Sequence, residues 1–300
     1  MKKLAKFKYI FIILLAAIIY SFNVPLLSLI GNTVPPFLKS SLMYLGAIIS
    51  MFIVVIYQRF KRGETSGINK KNIKYVILNM ICESCAAITF IIGISKVSSE
   101  TSSLLMATQT LLTAFIALFM FKERIGVLGW IGIACIMGST ICLNISEAGF
   151  VFNEGIIYVI ASCLFWSLSN NIARKSEGAS PYYLVLIKSF AAFCLCLIVS
   201  RFTNETFNLS NLNYHIALIG MGFMIYGVAV SMVFLCQIHL GVSICISYFG
   251  INPFIGSLIS IFMFNLTPYF TFYISMALIL VGMVIITINQ YRLSKKKLIK

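Results

Sequence analysis

The sequence contains no aspartate, and its eight acidic residues are all glutamate. That absence removes aspartate-based phosphoryl transfer and the paired aspartates of intramembrane proteases. Charge of any sign is scarce, at 10% of residues. The two histidines, His215 and His239, lie apart at the edges of apolar runs, too isolated for a metal centre. No phosphate-cradling glycine loop, His-Glu-x-x-His helix or Gly-x-Ser-x-Gly elbow occurs, so ATP-driven transport by this chain alone has no support. The nine cysteines are odd in number and sit inside apolar runs, where free cysteine acts as a small hydrophobe; no disulfide framework follows. Cys82-Glu-Ser-Cys85 has redox or zinc spacing, but it lies mid-helix without a second pair and reads as packing. No cofactor is implied.

What is abundant is apolar residues, 60% of the chain, a proportion outside the range of soluble domains. The net charge of +15 would suggest nucleic acid in a soluble protein. Here the charges form short runs between apolar blocks, with no basic, aromatic-interleaved surface, so they set orientation in a bilayer and nucleic acid is not a partner. Ten apolar segments are long enough to span: 9–30, 35–57, 72–94, 98–121, 126–144, 155–173, 181–200, 214–237, 241–264 and 268–290. The first is too long for a signal peptide and lacks a small-x-small cleavage site. No alternating barrel pattern is present, so the segments must be helices. Nineteen of the 23 Lys and Arg fall on one side of this arrangement, against Lys96 and Arg201 on the other, which places both termini in the cytoplasm. Glu147 and Glu154 then fall outside. Richness in Ile, Lys and Asn fits an AT-rich bacterial genome, hence the bacterial inner (cytoplasmic) membrane.

The chain is also doubled. A shift of 143 positions lays residues 111–121 (LLTAFIALFMF) over 254–264 (FIGSLISIFMF) and Gln109-Thr110 over Asn252-Pro253. Earlier in each half the shift is 146, placing Tyr20-Ser21 over Trp166-Ser167 and Pro35 over Pro181. The expected fold is an all-α membrane protein in two repeats, 1–149 and 150–300. Each has five helices, so the second enters the membrane from the opposite side. Inverted repeats of this kind place a substrate site near the midplane where they meet.

Equivalent positions in inverted repeats face one another across the pseudo-two-fold axis, which selects candidate cavity residues. Polar or aromatic pairs coincide at Tyr20 with Trp166, Asn23 with Ser169, Gln109 with Asn252, and Glu83 with Tyr226. Asn170 neighbours Ser169, Tyr248 lies one turn before Asn252, and Asn79 lies one turn before Glu83 on the same face. Such groups are costly in an apolar helix unless they meet a partner or a wet cavity. Glu83 has two readings. Desolvated, it is a proton-coupling group or the counter-charge of a cationic substrate. Paired with Lys39 or Lys188, it is a structural partner. Each lysine lies a few residues from a helix end, where snorkelling to the interface is preferred over an anion site. Glu100 is expected to be solvated at an interface. Pro25 and Asn252-Pro253 should loosen helical hydrogen bonding beside the cavity.

Several local features resemble the drug/metabolite transporter superfamily, EamA type. They are Ala17-Ile18-Ile19-Tyr20-Ser21 in the first helix, Gly93-Ile94-Ser95-Lys96-Val97-Ser98-Ser99 before the fourth, and Phe121-Lys122-Glu123-Arg124 followed by Trp130-Ile131-Gly132 and Gly138. Asn252-Pro253, Gly282 and Lys188 match in the second half. The sequence departs from the pattern at Asn265-Leu266-Thr267, at Gln109-Thr110 and at Lys39. The resemblance implies ten helices in two inverted repeats around a central cavity, with the fifth and tenth peripheral, where they stabilise the fold or form a homodimer. It implies transport of a small metabolite, often outward. The residues read together point to a secondary transporter of an amino acid or related amphipathic compound, with protons acting through Glu83 as the candidate driving force. The alternative is a facilitative or uptake transporter of a nutrient without proton coupling. An enzyme would need a reactive cluster, and none is visible.

Overall fold

The computed structural model describes residues 2–63, 65–121, 127–142, 153–176, 178–240 and 248–298, together with 145–146, 149–150 and 245. The Lys122-Glu123-Arg124 turn, Glu147 and most of the start of the expected ninth span lie outside the described residues. Thirteen helical elements are used below: α1 Lys2–Ser21, α2 Asn23–Ile30, α3 Pro36–Arg62, α4 Ile73–Ile94, α5 Ser99–Leu105, α6 Ala107–Phe121, α7 Val127–Cys142, α8 Glu154–Lys175, α9 Pro181–Phe202, α10 Leu212–Gly222, α11 Val230–Leu240, α12 Asn252–Phe264 and α13 Phe270–Leu298. A π-helical segment, Phe223–Ala229, joins α10 to α11. Among the described residues, the expectation of helix alone is met except for one small antiparallel ladder, Ile145 opposite Phe150 and Ser146 opposite Gly149.

Among the described residues, six continuous stretches are long and apolar enough to cross a membrane: Lys8–Thr33, Pro36–Lys61, Ile73–Ile94, Glu154–Lys175, Pro181–Phe202 and Leu212–Leu240. Asn252–Phe264 and Phe270–Gly282 are apolar but shorter, and the expected fourth span is divided at Met106 into α5 and α6. Helix ends follow local chemistry. Pro36 opens α3, where a missing N–H costs nothing, and Gly63 closes it in the left-handed region with its N–H on the Gln58 carbonyl. Asn153 caps α8 by accepting from the Gly155 N–H at 2.8 Å. Pro25 has no N–H for the Ser21 carbonyl, and the helix is interrupted at Phe22 between α1 and α2.

Packing runs mainly between the two halves. α4 lies on α8 and α9, and in equivalent fashion the π segment and α11 lie on α1, while α10 and the π segment lie on α3. α6 on α8 is matched by α12 on α1, and the remaining major contacts join equivalents: α3 with α9, α5 with α12, α7 with α13. The contact map is thus preserved when the halves are exchanged, as a two-fold relation requires. The main core cluster lies along this seam and includes Tyr20, Tyr44, Phe90, Trp166 and Tyr226.

Candidate functional site

At the centre of the seam stands Glu83, on α4, 5% exposed. Its Oε1 accepts from the Tyr44 hydroxyl at 3.0 Å and from Trp166 Nε1–H at 3.2 Å. Its Oε2 accepts from Lys188 Nζ at 2.8 Å and from the Ser169 hydroxyl at 3.5 Å. Four helices, α3, α4, α8 and α9, therefore converge on one carboxylate. Asn79, one turn before it, donates to the Ser169 carbonyl at 2.8 Å and hydroxyl at 3.1 Å, which holds the α4–α8 register.

Lys188 does not snorkel. It is 5% exposed, held between Glu83 and the Phe234 ring, whose centroid is 4.9 Å from Nζ. Paired burial is the physical reason: the packing of α4 on α9 carries the ammonium inside, and the Glu83 carboxylate compensates a charge that would be costly to bury alone. Lys39 makes no contact with Glu83 but donates to the Gly31 carbonyl at 2.6 Å, just past the end of α2. It too is buried, 7% exposed, and not extended to solvent. Glu100 also departs from expectation. It is 9% exposed with one carboxylate oxygen lacking a hydrogen-bond partner, because α5 packs on α12, whose Ser257 donates to the Glu100 carbonyl at 3.1 Å.

A cavity of about 50 Å³ opens beside the pair, room for a few waters. Its wall carries Tyr20, Glu83, Gln109, Trp166, Asn170, Lys188, Tyr226 and Asn252. Three of the four pairs picked from the repeat thus face the same space. In the fourth, Ser169 reaches the site through Glu83, while Asn23 faces a second, smaller cavity. Tyr248 is not at the site. It is 38% exposed, and its neighbour Phe249 lines the cavity instead, since adjacent helical residues point about 100° apart. Asn252 and Pro253 begin α12 and do not kink its interior.

Sequence reasoning missed Tyr44, Thr113, Ser189 and Gln237, all on the cavity wall. Tyr44 is equivalent to Phe190, which is 55% exposed, so a search for matched polar pairs passes over it. The signal that could have found it is its place on α3, one turn beyond the buried Ser40 and Ser41.

The sequence profile of the EamA-like transporter family matches twice, over residues 7–145 and 153–288. No curated protein matches the chain significantly by sequence. One solved crystal structure superposes with a TM-score of 0.69 over 93% of this chain and 98% of its own, at 17% identity. At that identity the likeness is one of fold. With both halves matched and apolar helices throughout, this multi-pass membrane protein belongs to the EamA-like transporter family.

Proposed function

We propose that the chain is a secondary transporter that moves a small amphipathic metabolite, such as an amino acid, out across the bacterial cytoplasmic membrane by alternating access. In this reading ten spans form two inverted repeats, 1–149 and 150–300, with both termini in the cytoplasm. The observation that carries it is the cavity at the seam, where the repeat-equivalent groups Tyr20 and Trp166, Gln109 and Asn252, and Glu83 and Tyr226 meet around a carboxylate–ammonium pair. Aromatic faces would hold an apolar body, and the amides of Gln109, Asn170 and Asn252 would hold polar groups. A volume of about 50 Å³ is far below the several hundred usual for ligand pockets. Loading a solute therefore requires the helices to part.

Glu83 has two roles under this reading. In a coupled cycle a proton or the substrate displaces Lys188 from the carboxylate, and the four-helix convergence loosens. In a facilitator the pair is permanent and flux follows the gradient alone. The 2.8 Å contact between two buried charges favours the second reading for the closed state. A mixed metabolite pool loaded into proteoliposomes, with efflux followed by mass spectrometry, tests the transport reading itself. The expected result is a species released by wild type and released with weakened apparent affinity by Trp166→Ala. Release indistinguishable from protein-free liposomes for every species would overturn it.

A further inference from the structure

Three interruptions of the helical backbone meet at the second cavity, of about 10 Å³. α1 gives way to α2 at Phe22, α5 to α6 at Met106, and α12 starts at Asn252. The wall includes Ser21 and Asn23 from the first break, Ser103 and Met106 from the second, Asn252 from the third, and Tyr20. The space suits one particle of about the size of a water.

Its polar groups are poorly served by the protein. Both ends of the Asn23 amide and the Ser103 hydroxyl are buried without hydrogen-bond partners, in residues 1% and 3% exposed. The Ser21 carbonyl has no donor four residues on, because that residue is Pro25. Gly256 keeps the space open: a Cβ there would lie 2.9 Å from the Ser21 carbonyl oxygen and 3.4 Å from the Ser103 hydroxyl. Asn252 uses its amide nitrogen on the Phe249 carbonyl at 2.8 Å, which leaves its side-chain oxygen as an acceptor.

We propose that this cavity is a sodium site. The oxygens available are the Ser21 carbonyl, the Asn23 and Asn252 amide oxygens and the hydroxyls of Ser103 and Tyr20. All are neutral. Neutral oxygens replace the hydration shell of an alkali cation, whereas calcium sites draw on carboxylates, and none lines this cavity. Helix breaks near the seam of a repeated transporter free the carbonyls that such a site needs. Five neutral oxygens are close to the coordination number that sodium takes and fewer than the larger potassium ion gathers. A water would accept from the Ser103 and Tyr20 hydroxyls and donate to two of the other three oxygens, leaving one of the five unserved. An Asn23 amide turned so that its nitrogen meets the Tyr226 hydroxyl would leave its oxygen for the cation. Because Tyr20, Met106 and Asn252 line both cavities, a bound ion would tie the three helix breaks to the wall of the main cavity.

The test is thermal unfolding of the purified, detergent-solubilised protein in sodium, potassium or choline chloride at equal ionic strength. A ligand that binds the folded state raises Tm, so Tm is expected to be several degrees higher in sodium. That increment should vanish in Ser103→Ala and in Gly256→Ala, whatever their Tm in choline. Equal wild-type Tm in all three salts would mean an ordered water only. A sodium increment retained in both variants would place the ion elsewhere and equally overturn the assignment. No substrate or flux enters this measurement, so it can fail without touching the transport reading.

Discussion

Glu83 and Lys188 are held so far from water that each depends on the other. Removing one partner of a buried pair leaves an uncompensated charge, at a cost of about 3–5 kcal/mol, whereas removing both is far milder. Lys188→Met is therefore expected to lose about 3–5 kcal/mol in denaturant unfolding, and Lys188→Met combined with Glu83→Gln to lose clearly less. Additive losses in the double variant would contradict the pairing. The Lys96–Glu154 pair behaves differently, being 40% and 61% exposed. Exposed pairs contribute little at neutral pH. The hydrogen bond to Glu154 raises the Lys96 pKa, so the folded state holds that proton more tightly than the unfolded state. The contribution is then complete below the ordinary lysine pKa of about 10.4 and disappears as pH rises through the folded value. Glu154→Gln should therefore lower Tm slightly near pH 7 and leave it equal to that of wild type once the pH exceeds the folded Lys96 value; an equal change at both pH values would contradict this.

At the scale of the elements, α3 meets α10 and the π segment in close backbone contact. A Cβ on Gly222 would stand 1.8 Å from the Met43 carbonyl oxygen, one on Gly46 1.9 Å from the Ile219 oxygen, and one on Gly227 1.7 Å from the Ser50 hydroxyl. A Cβ on Gly220 would meet nothing within 4 Å. Gly222→Ala should thus lower stability by at least the ~1–3 kcal/mol of an overpacked core, while Gly220→Ala leaves it equal or slightly raised; comparable unfolding curves for the two would show that α3 and α10 are not in backbone contact. The seam also marks where sequence reading stops. Long helices such as α3, α4, α8 and α9 were legible because apolar length alone specifies a span. Glu83 stood out because a carboxylate inside such a span demands a partner, and the repeat picked out Tyr20, Trp166 and Tyr226, which line the cavity beside it. Which lysine answers Glu83 was not legible, since Lys39 and Lys188 look alike in sequence and only the packing of α4 on α9 selects Lys188. The split at Met106 has no proline or glycine to announce it, and Tyr248 was misplaced because its register depends on how the backbone before α12 turns.

Across the whole molecule, α3 and α9 are fastened to each other at both ends. At one end the Glu205 carboxylate, three residues past α9, accepts from the Phe37 and Leu38 N–H groups at 3.2 and 2.8 Å, a cap on the amino terminus of α3. At the other, the Ser180 N–H donates to the Ser66 carbonyl at 2.9 Å, and Gly67 approaches Gly178 so closely that a Cβ would lie 1.8 Å from its oxygen. If α3 and α9 stay together as one unit, opening of the cavity falls to the helices around them. Glu205→Gln weakens charge-assisted hydrogen bonds worth about 1.5–3 kcal/mol and should speed exchange at the Phe37 and Leu38 amides, measured by hydrogen–deuterium exchange, without disturbing Ser180. The central claim is that solute passes through the cavity organised by Glu83 and Lys188. Its most direct measurement is efflux of the transported species from proteoliposomes, with and without a proton gradient, for wild type and for the Glu83→Gln, Lys188→Met double variant. The account predicts that the double variant stays folded yet loses transport of that species. Undiminished flux in the folded double variant would contradict it.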